Sequence, residues 1–323
     1  MPLRPAAAAL VLTLLAAGCA APPPPAPAVG PAPAAGLPPP VWQVGDWWNF
    51  TGPFGAFHYV VAGESGEDWI LDTDARDLAF YNARFDVSTL GAVRKADLAG
   101  SQGAQRVAFF DWPLQDGKSW TMTLDEGQGG GALQVTARRV SDDLFAMTAR
   151  RPDGTAYVSY TYDNRTRFFG EVDFKDAQGE SAFKVTQQRH GAQFPGDLVR
   201  WSLEDLVQRG GDLPTAETGF FSVEATATDV HAEVRLACST GHATVAVGVA
   251  AGPNAGRGYG LPGVTCPAQV EFAGPVGAAP TAGDQWGFVV ESTGAPGVAP
   301  AGTYSLLVQQ RTLHTFKAGQ APG

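Results

Sequence analysis

The residues best suited to holding a metal are five histidines, His58, His190, His231, His242 and His314. No two of them lie at the i, i+2 or i, i+4 separations that present two imidazoles to one ion, and no His-Glu-x-x-His occurs. Asp72-Thr73-Asp74-Ala75-Arg76-Asp77 imitates the opening of a calcium loop. It then places Arg76 where an oxygen ligand is required and lacks the glycine that follows, so a solvated turn is expected there. Nucleophilic hydrolysis fares no better. There is no Gly-x-Ser-x-Gly, and Gly63-Glu64-Ser65-Gly66 reads as a turn. Gly127-Gln128-Gly129-Gly130-Gly131-Ala132 formally matches a dinucleotide fingerprint, but a β-type segment follows where a helix N-terminus is needed to hold the pyrophosphate. A flexible hairpin loop is expected instead. The acidic pairs Asp142-Asp143 and Glu204-Asp205 are adjacent, and neighbours on a strand point to opposite faces. A carboxylate pair assembled in space, as glycosidases use, remains open. No cofactor is expected.

Tryptophan and cysteine carry more. Six of the eight tryptophans, Trp42, Trp47, Trp48, Trp69, Trp112 and Trp120, precede residue 121. Their rings combine large apolar area with a polar N–H. Trp47, Trp48 and Trp120 are therefore candidates for lining an apolar ligand site; the competing reading is that they fill a core. Cys238 and Cys266, 28 residues apart, are expected to form a disulfide if the chain is exported.

The elements that must position these side chains are short strands. Gly 40 and Pro 25 make up a fifth of the 323 residues, which favours many turns over long helices. Charged residues are 17% and the net charge is −10, a poor match to nucleic acid, whose phosphates demand concentrated positive charge. Residues 41–192 read as an antiparallel β domain. Period-two segments such as Ala156–Tyr162 are joined by turn signals such as Pro152-Asp153-Gly154. This meander predicts a strongly curved sheet, half-barrel or lipocalin-like. Residues 193–213 are expected to be a connector with a short helix over Leu198–Gln208, capped near Ser202-Leu203-Glu204-Asp205 and ended by Gly210-Gly211. Residues 214–316 supply about six strands, enough for a small β-sandwich. Residues 317–323 are expected to be a disordered tail. The fold class is all-β.

Ahead of these domains, Met1-Pro2-Leu3-Arg4 precedes an apolar run from Ala6 to Ala17, too short to cross a bilayer and of a length that suits a signal peptide over residues 1–18. Its end, Leu15-Ala16-Ala17-Gly18-Cys19, resembles the lipobox of bacterial lipoproteins. That resemblance implies a diacylated Cys19 as the new N-terminus and a membrane partner through that lipid. Residues 19–40 then read as a tether, with ten prolines among residues 20–40. Within the first domain, Phe110-Asp111-Trp112-Pro113-Leu114-Gln115-Asp116-Gly117-Lys118-Ser119-Trp120 resembles a hairpin of uncharacterised exported β-proteins, and Val44-Gly45-Asp46-Trp47-Trp48 is similar to their first strand. That resemblance implies an antiparallel β-fold and assigns no catalytic residue.

The expectation is an exported, lipid-anchored protein of the cell envelope, in the outer membrane or periplasm or on the cell surface. It would act as a non-catalytic binding or interaction module for an apolar small molecule or an envelope protein. The alternatives are a glycan-directed hydrolase and a purely structural or adhesive lipoprotein.

Overall fold

Antiparallel strands account for nearly every element of the chain, and a computed structural model shows how they join. It describes residues 36–321 apart from 54, 125–130, 214–215, 278, 295–296, 298 and 300. Cys19, the signal segment, most of the proline-rich tether and most of the 127–132 loop lie outside the described residues.

The first half is a meander that runs in two directions from one seam. The first series of strands is β1 (Trp47–Gly52), β2 (Gly55–Ser65), β3 (Asp68–Thr73), β4 (Gly91–Arg94), β5 (Gly100–Gln102) and β6 (Gln105–Val107), each paired with the next. The second series is β7 (Ser119–Leu124), β8 (Gly131–Arg139), β9 (Leu144–Arg150), β10 (Ala156–Asp163), β11 (Phe168–Lys175) and β12 (Ser181–Gly191), again paired in sequence. The pairing of β1 with β12 joins the series, with Trp47 opposite Gly191. Among the described residues β6 and β7 make no ladder, so the curved sheet is not a closed barrel. Its concave side is rich in rings: Trp42, Trp48, Phe50, Phe57, Tyr160, Tyr162 and Phe168 are all buried in one cluster. Burying such rings at 150–250 Å² each is the main force holding the curve.

Between β3 and β4 the chain forms the helix α1 (Arg76–Phe85), where a solvated turn was expected over 72–77. Its N-cap, Ala75, makes no side-chain cap hydrogen bond, so the start carries none of the usual signals. The apolar spacing Leu78, Tyr81, Phe85 does follow a helical face. Packing supplies what the cap lacks: Leu78 and Ala79 are buried beneath the helix.

The connector is also different from expectation. Residues 198–213 form no helix; β13 (Leu198–Leu213) is a sixteen-residue strand. It pairs along its length with β20 (Ala301–Phe316), from Leu198 opposite Phe316 to Leu213 opposite Gly302. A bulge between Asp205 and Val207 absorbs one extra residue. The local capping pattern at Ser202–Asp205 is outcompeted because the long partner strand satisfies the backbone of the whole segment. β13 also meets β3 at Val199 opposite Thr73, and Arg200 pairs with the buried Asp72 carboxylate beside that junction.

The second half stacks two sheets. One continues from β13 and β20 through β15 (Asp229–Thr240) to β18 (Ala268–Pro275). The other contains β14 (Ala216–Phe221), β19 (Gln285–Thr293), β16 (His242–Ala251) and β17 (Gly258–Thr265), in that order. Their shared core includes Val234, Leu236, Val245, Val290, Leu306 and Val308. Strict alternation of buried and half-buried residues along β15 and β16 is the pattern of sheets packed on one face.

Both chain ends of this body are more ordered than expected. Leu37 and Leu114 exchange two backbone hydrogen bonds of 2.9 Å, so residues 36–40, expected to belong to a tether, are part of the folded body. Residues 317–321, expected to be disordered, fold back instead. The Gly319 N–H donates to the Ala62 carbonyl at 2.7 Å, and Lys317 pairs with Asp197.

Candidate functional site

The concave face of the curved sheet does not fill itself. Bulky rings on its walls and the short helix α1 across it leave a cavity of about 320 Å³. The walls are phenyl rings from β1, β11 and β12, including Phe50, Phe169, Phe174 and Phe183. Aliphatic side chains close the gaps: Leu78 from α1, Leu124 from β7, Val172 from β11 and Val185 from β12. None of the described lining residues is charged, and none is histidine.

One group of polar side chains comes from the loop after α1 and from β5 and β2, while Tyr81 and Tyr157 carry further hydroxyls. Ser88 and Thr89 lie on the loop after α1, and Gln102 lies on β5. The Tyr59 hydroxyl and the Thr89 hydroxyl are 3.1 Å apart, each able to donate to the other. Gly100 fixes this side of the cavity. A Cβ built there would lie 1.6 Å from the Ser88 carbonyl oxygen, so only glycine lets β5 approach the 87–90 loop so closely. The buried Leu90 anchors the end of that loop. Burial pushes the Tyr59 phenol above its ordinary pKa, offset in part by the Thr89 hydrogen bond, and burial does the same for Tyr157. Both stay neutral at any physiological pH and act only as hydrogen-bonding groups.

Helix α1 separates the cavity from the second half of the molecule. Its inner residues Leu78 and Tyr81 face the cavity. Tyr81 is 39% exposed and marks the mouth. The opposite side of the helix is clamped to the long strands. Arg84 pairs with Glu233 of β15 at 3.0 Å, and the Arg311 guanidinium of β20 lies 4.8 Å from the Phe80 ring centroid. The Trp201 indole N–H donates to the Arg76 carbonyl at 3.2 Å.

The three tryptophans expected to line a ligand site stand elsewhere. Trp48 is 1% exposed and stacks on Phe168 at 4.4 Å, while its N–H donates to the Thr166 carbonyl at 2.7 Å. Trp47 packs edge-on to His58 at 5.4 Å, near Phe194. Trp120 donates its N–H to the Ala108 carbonyl at 2.9 Å and packs against the edge of the core. None of them lines the cavity. The lining falls instead to phenylalanines, valines and tyrosines at alternate strand positions. The signal for them was the run Phe168-Phe169-Gly170-Glu171-Val172-Asp173-Phe174, whose apolar density exceeds one face of a strand.

The segment Phe110–Lys118 is a loop leading into β7, with a cis bond before Pro113, and forms no strand of a hairpin. The hairpin itself is β7 with β8, Trp120 opposite Val135. Cys238 and Cys266 form the expected disulfide, tying β15 to the turn before β18. The His58 Nδ1–H donates to the Asp74 carboxylate at 2.7 Å, and its Nε2 lies 3.2 Å from the Asn49 amide. Among the described residues no group of three or more His, Cys, Asp or Glu is placed to hold a metal ion. No described helix is long and apolar enough to cross a membrane.

No protein-family model matches the chain, and no curated protein matches it. Among solved structures it aligns with infectious bursal disease virus of the Gx strain, at 10% identity over 89% of this chain and 71% of the viral chain, with a TM-score of 0.22. The Gt strain of the same virus aligns over the same shares at 10% identity and a TM-score of 0.20.

Proposed function

We propose that this protein is a lipid-anchored protein of the cell envelope that binds an apolar small molecule without transforming it, inside the curved sheet beneath α1. One observation carries the reading: a cavity of about 320 Å³ with apolar walls inside the curved sheet. That volume lies at the lower end of ordinary small-molecule sites, which combine apolar walls with a few convergent polar groups. The anchor at Cys19 and the tether rest on the sequence alone, and they fit a binding module held beside a membrane. The glycan-hydrolase reading draws no support from this cavity, because none of the described residues lining it is a carboxylate.

The test uses the full chain carrying Cys19→Ala, so that no anchor lipid competes, stripped of bound lipid on a hydrophobic resin. N-phenyl-1-naphthylamine, a neutral apolar fluorophore, should brighten on binding with one site per chain. Val172→Phe fills part of the cavity. It should weaken the fluorophore about tenfold while leaving the unfolding temperature unchanged or raised. No saturable binding to the stripped protein, or binding indifferent to Val172→Phe, would remove the reading in favour of a structural or adhesive role.

A further inference from the structure

We infer that the cavity selects a single-chain amphiphile with an uncharged polar end, such as a fatty alcohol or a neutral monoacyl ester, and rejects free fatty acids and two-chain phospholipids. This rests on the binding reading above and adds the chemical class of the ligand.

Size sets the chain count. At roughly 15–30 Å³ for each water-sized group, 320 Å³ holds about 10–20 chain atoms. That is one alkyl or isoprenoid chain, and a second chain has no room.

Charge sets the head. The polar lining is made of Ser88, Thr89, Gln102 and the hydroxyls of Tyr59, Tyr81 and Tyr157, groups that hydrogen-bond a hydroxyl, ester or amide. Among the described residues no lysine or arginine lines the cavity. A carboxylate or phosphate seated there would lose its water without gaining a counter-ion, which is strongly unfavourable. Arg151 is held face-on to the Tyr157 ring, 4.6 Å from its centroid, and is not itself part of the wall. Helix α1 places no cation in the lining either: Arg84 is paired with Glu233, and neither Arg76 nor Arg84 is among the lining residues.

The experiment is competition against bound N-phenyl-1-naphthylamine on the full chain with Cys19→Ala, at pH 8, with matched ten-carbon competitors. Decan-1-ol should displace the fluorophore at about a tenth of the concentration that decanoate requires, the penalty of one poorly compensated charge. Decane should fall behind decanol in the wild type. The pair Ser88→Ala and Gln102→Leu should narrow that gap, each competitor being compared against the fluorophore affinity of the same variant. Vesicles of two-chain phosphatidylglycerol should not displace the probe. Decanoate equal to or tighter than decanol, with its advantage lost in Arg151→Gln, would overturn the uncharged head and leave the cavity a binding site. Displacement by the two-chain vesicles would overturn the single chain. Failure of the fluorophore itself to bind would end both this inference and the reading beneath it.

Discussion

Gly100→Ala should damage the cavity from a distance, through the backbone alone. Gly100 does not sit at a positive φ, so alanine meets no conformational penalty there and any cost is steric. The added Cβ would lie 1.6 Å from the Ser88 carbonyl oxygen and 2.7 Å from its carbon. Non-bonded heavy atoms settle near 3.5 Å, so the 87–90 loop must withdraw by about 2 Å. That displacement takes Thr89 away from the Tyr59 hydroxyl and pulls on the buried Leu90. Forced overpacking costs about 1–3 kcal/mol and the lost hydrogen bond about 1, giving about 2–4 kcal/mol in all.

The control is Gly103→Ala, one turn further on. Gly103 has open space around its missing Cβ and a φ of 57°, so alanine there should cost only the left-handed strain of about 1 kcal/mol. Urea unfolding followed by tryptophan fluorescence gives the stability difference, and probe binding gives the state of the cavity. Gly100→Ala should lower the midpoint more than Gly103→Ala and weaken decanol more than it weakens the fluorophore. If the two variants are equally stable and decanol affinity is untouched in Gly100→Ala, the close approach of β5 to the loop does not hold the polar side together.

Replacing Cys238 and Cys266 together by alanine opens a loop closed over 28 residues and should destabilise by about 3–4 kcal/mol on loop-entropy reasoning, read by denaturation with and without reductant. His231 on β15 is pushed down to about 4, chiefly by burial and then by the Arg311 charge. Between pH 6.5 and about 4 the unfolded chain therefore binds a proton at this position that the folded chain refuses, so folded stability falls as pH falls through that window. His231→Gln should flatten that part of the stability profile; Asp229, whose carboxyl is raised by burial, keeps its own slope, and Arg311, Glu233 and Arg84 are the charges facing the same patch. Trp48→Ala should cost about 3–5 kcal/mol by opening the aromatic stack on Phe168, yet leave the probe affinity of the folded protein unchanged because Trp48 does not line the cavity.

The all-β class was legible because turn residues and period-two runs recur along the whole chain. Pro152 to Tyr162 shows it: the Pro-Asp-Gly turn and the alternation after it specify a hairpin without outside help. The disulfide was legible for the same reason, since two cysteines in one short domain leave one pairing. The strand over 198–213 was not. Its sequence mixes Leu203, Leu206 and Val207 with Glu204 and Asp205, which also suits one face of a short helix. What decides it is β20, more than a hundred residues later, and local propensity carries no information about that partner. The cavity was illegible for a related reason. Tryptophan was the conspicuous residue, but the large rings went where two layers meet most tightly. The open space formed where smaller residues line the wall, among them Val172 and Val185, paired side by side on β11 and β12, and Ser88 of the loop after α1.

That open space has an energetic meaning of its own. A sealed apolar void of about 320 Å³ would cost about 8 kcal/mol at roughly 24 cal/mol per Å³. The mouth at the half-exposed Tyr81 lowers the figure, since water reaches part of the volume. Even a fraction of it is large beside a total folding free energy of about 5–15 kcal/mol. A phenylalanine at position 172 or a leucine at 88 would reduce the void by simple substitution, with no change in backbone. The sequence instead surrounds the space with rigid rings and keeps it uncharged. An unfilled core is then the less stable form of the protein, and whatever occupies it stabilises the fold in proportion to the logarithm of its concentration over its dissociation constant. Ligand removal and thermal unfolding are therefore two readings of the same cavity: the stripped protein must melt lower, and the compound that restores the melting temperature most at equal concentration is the one the cavity is shaped to hold.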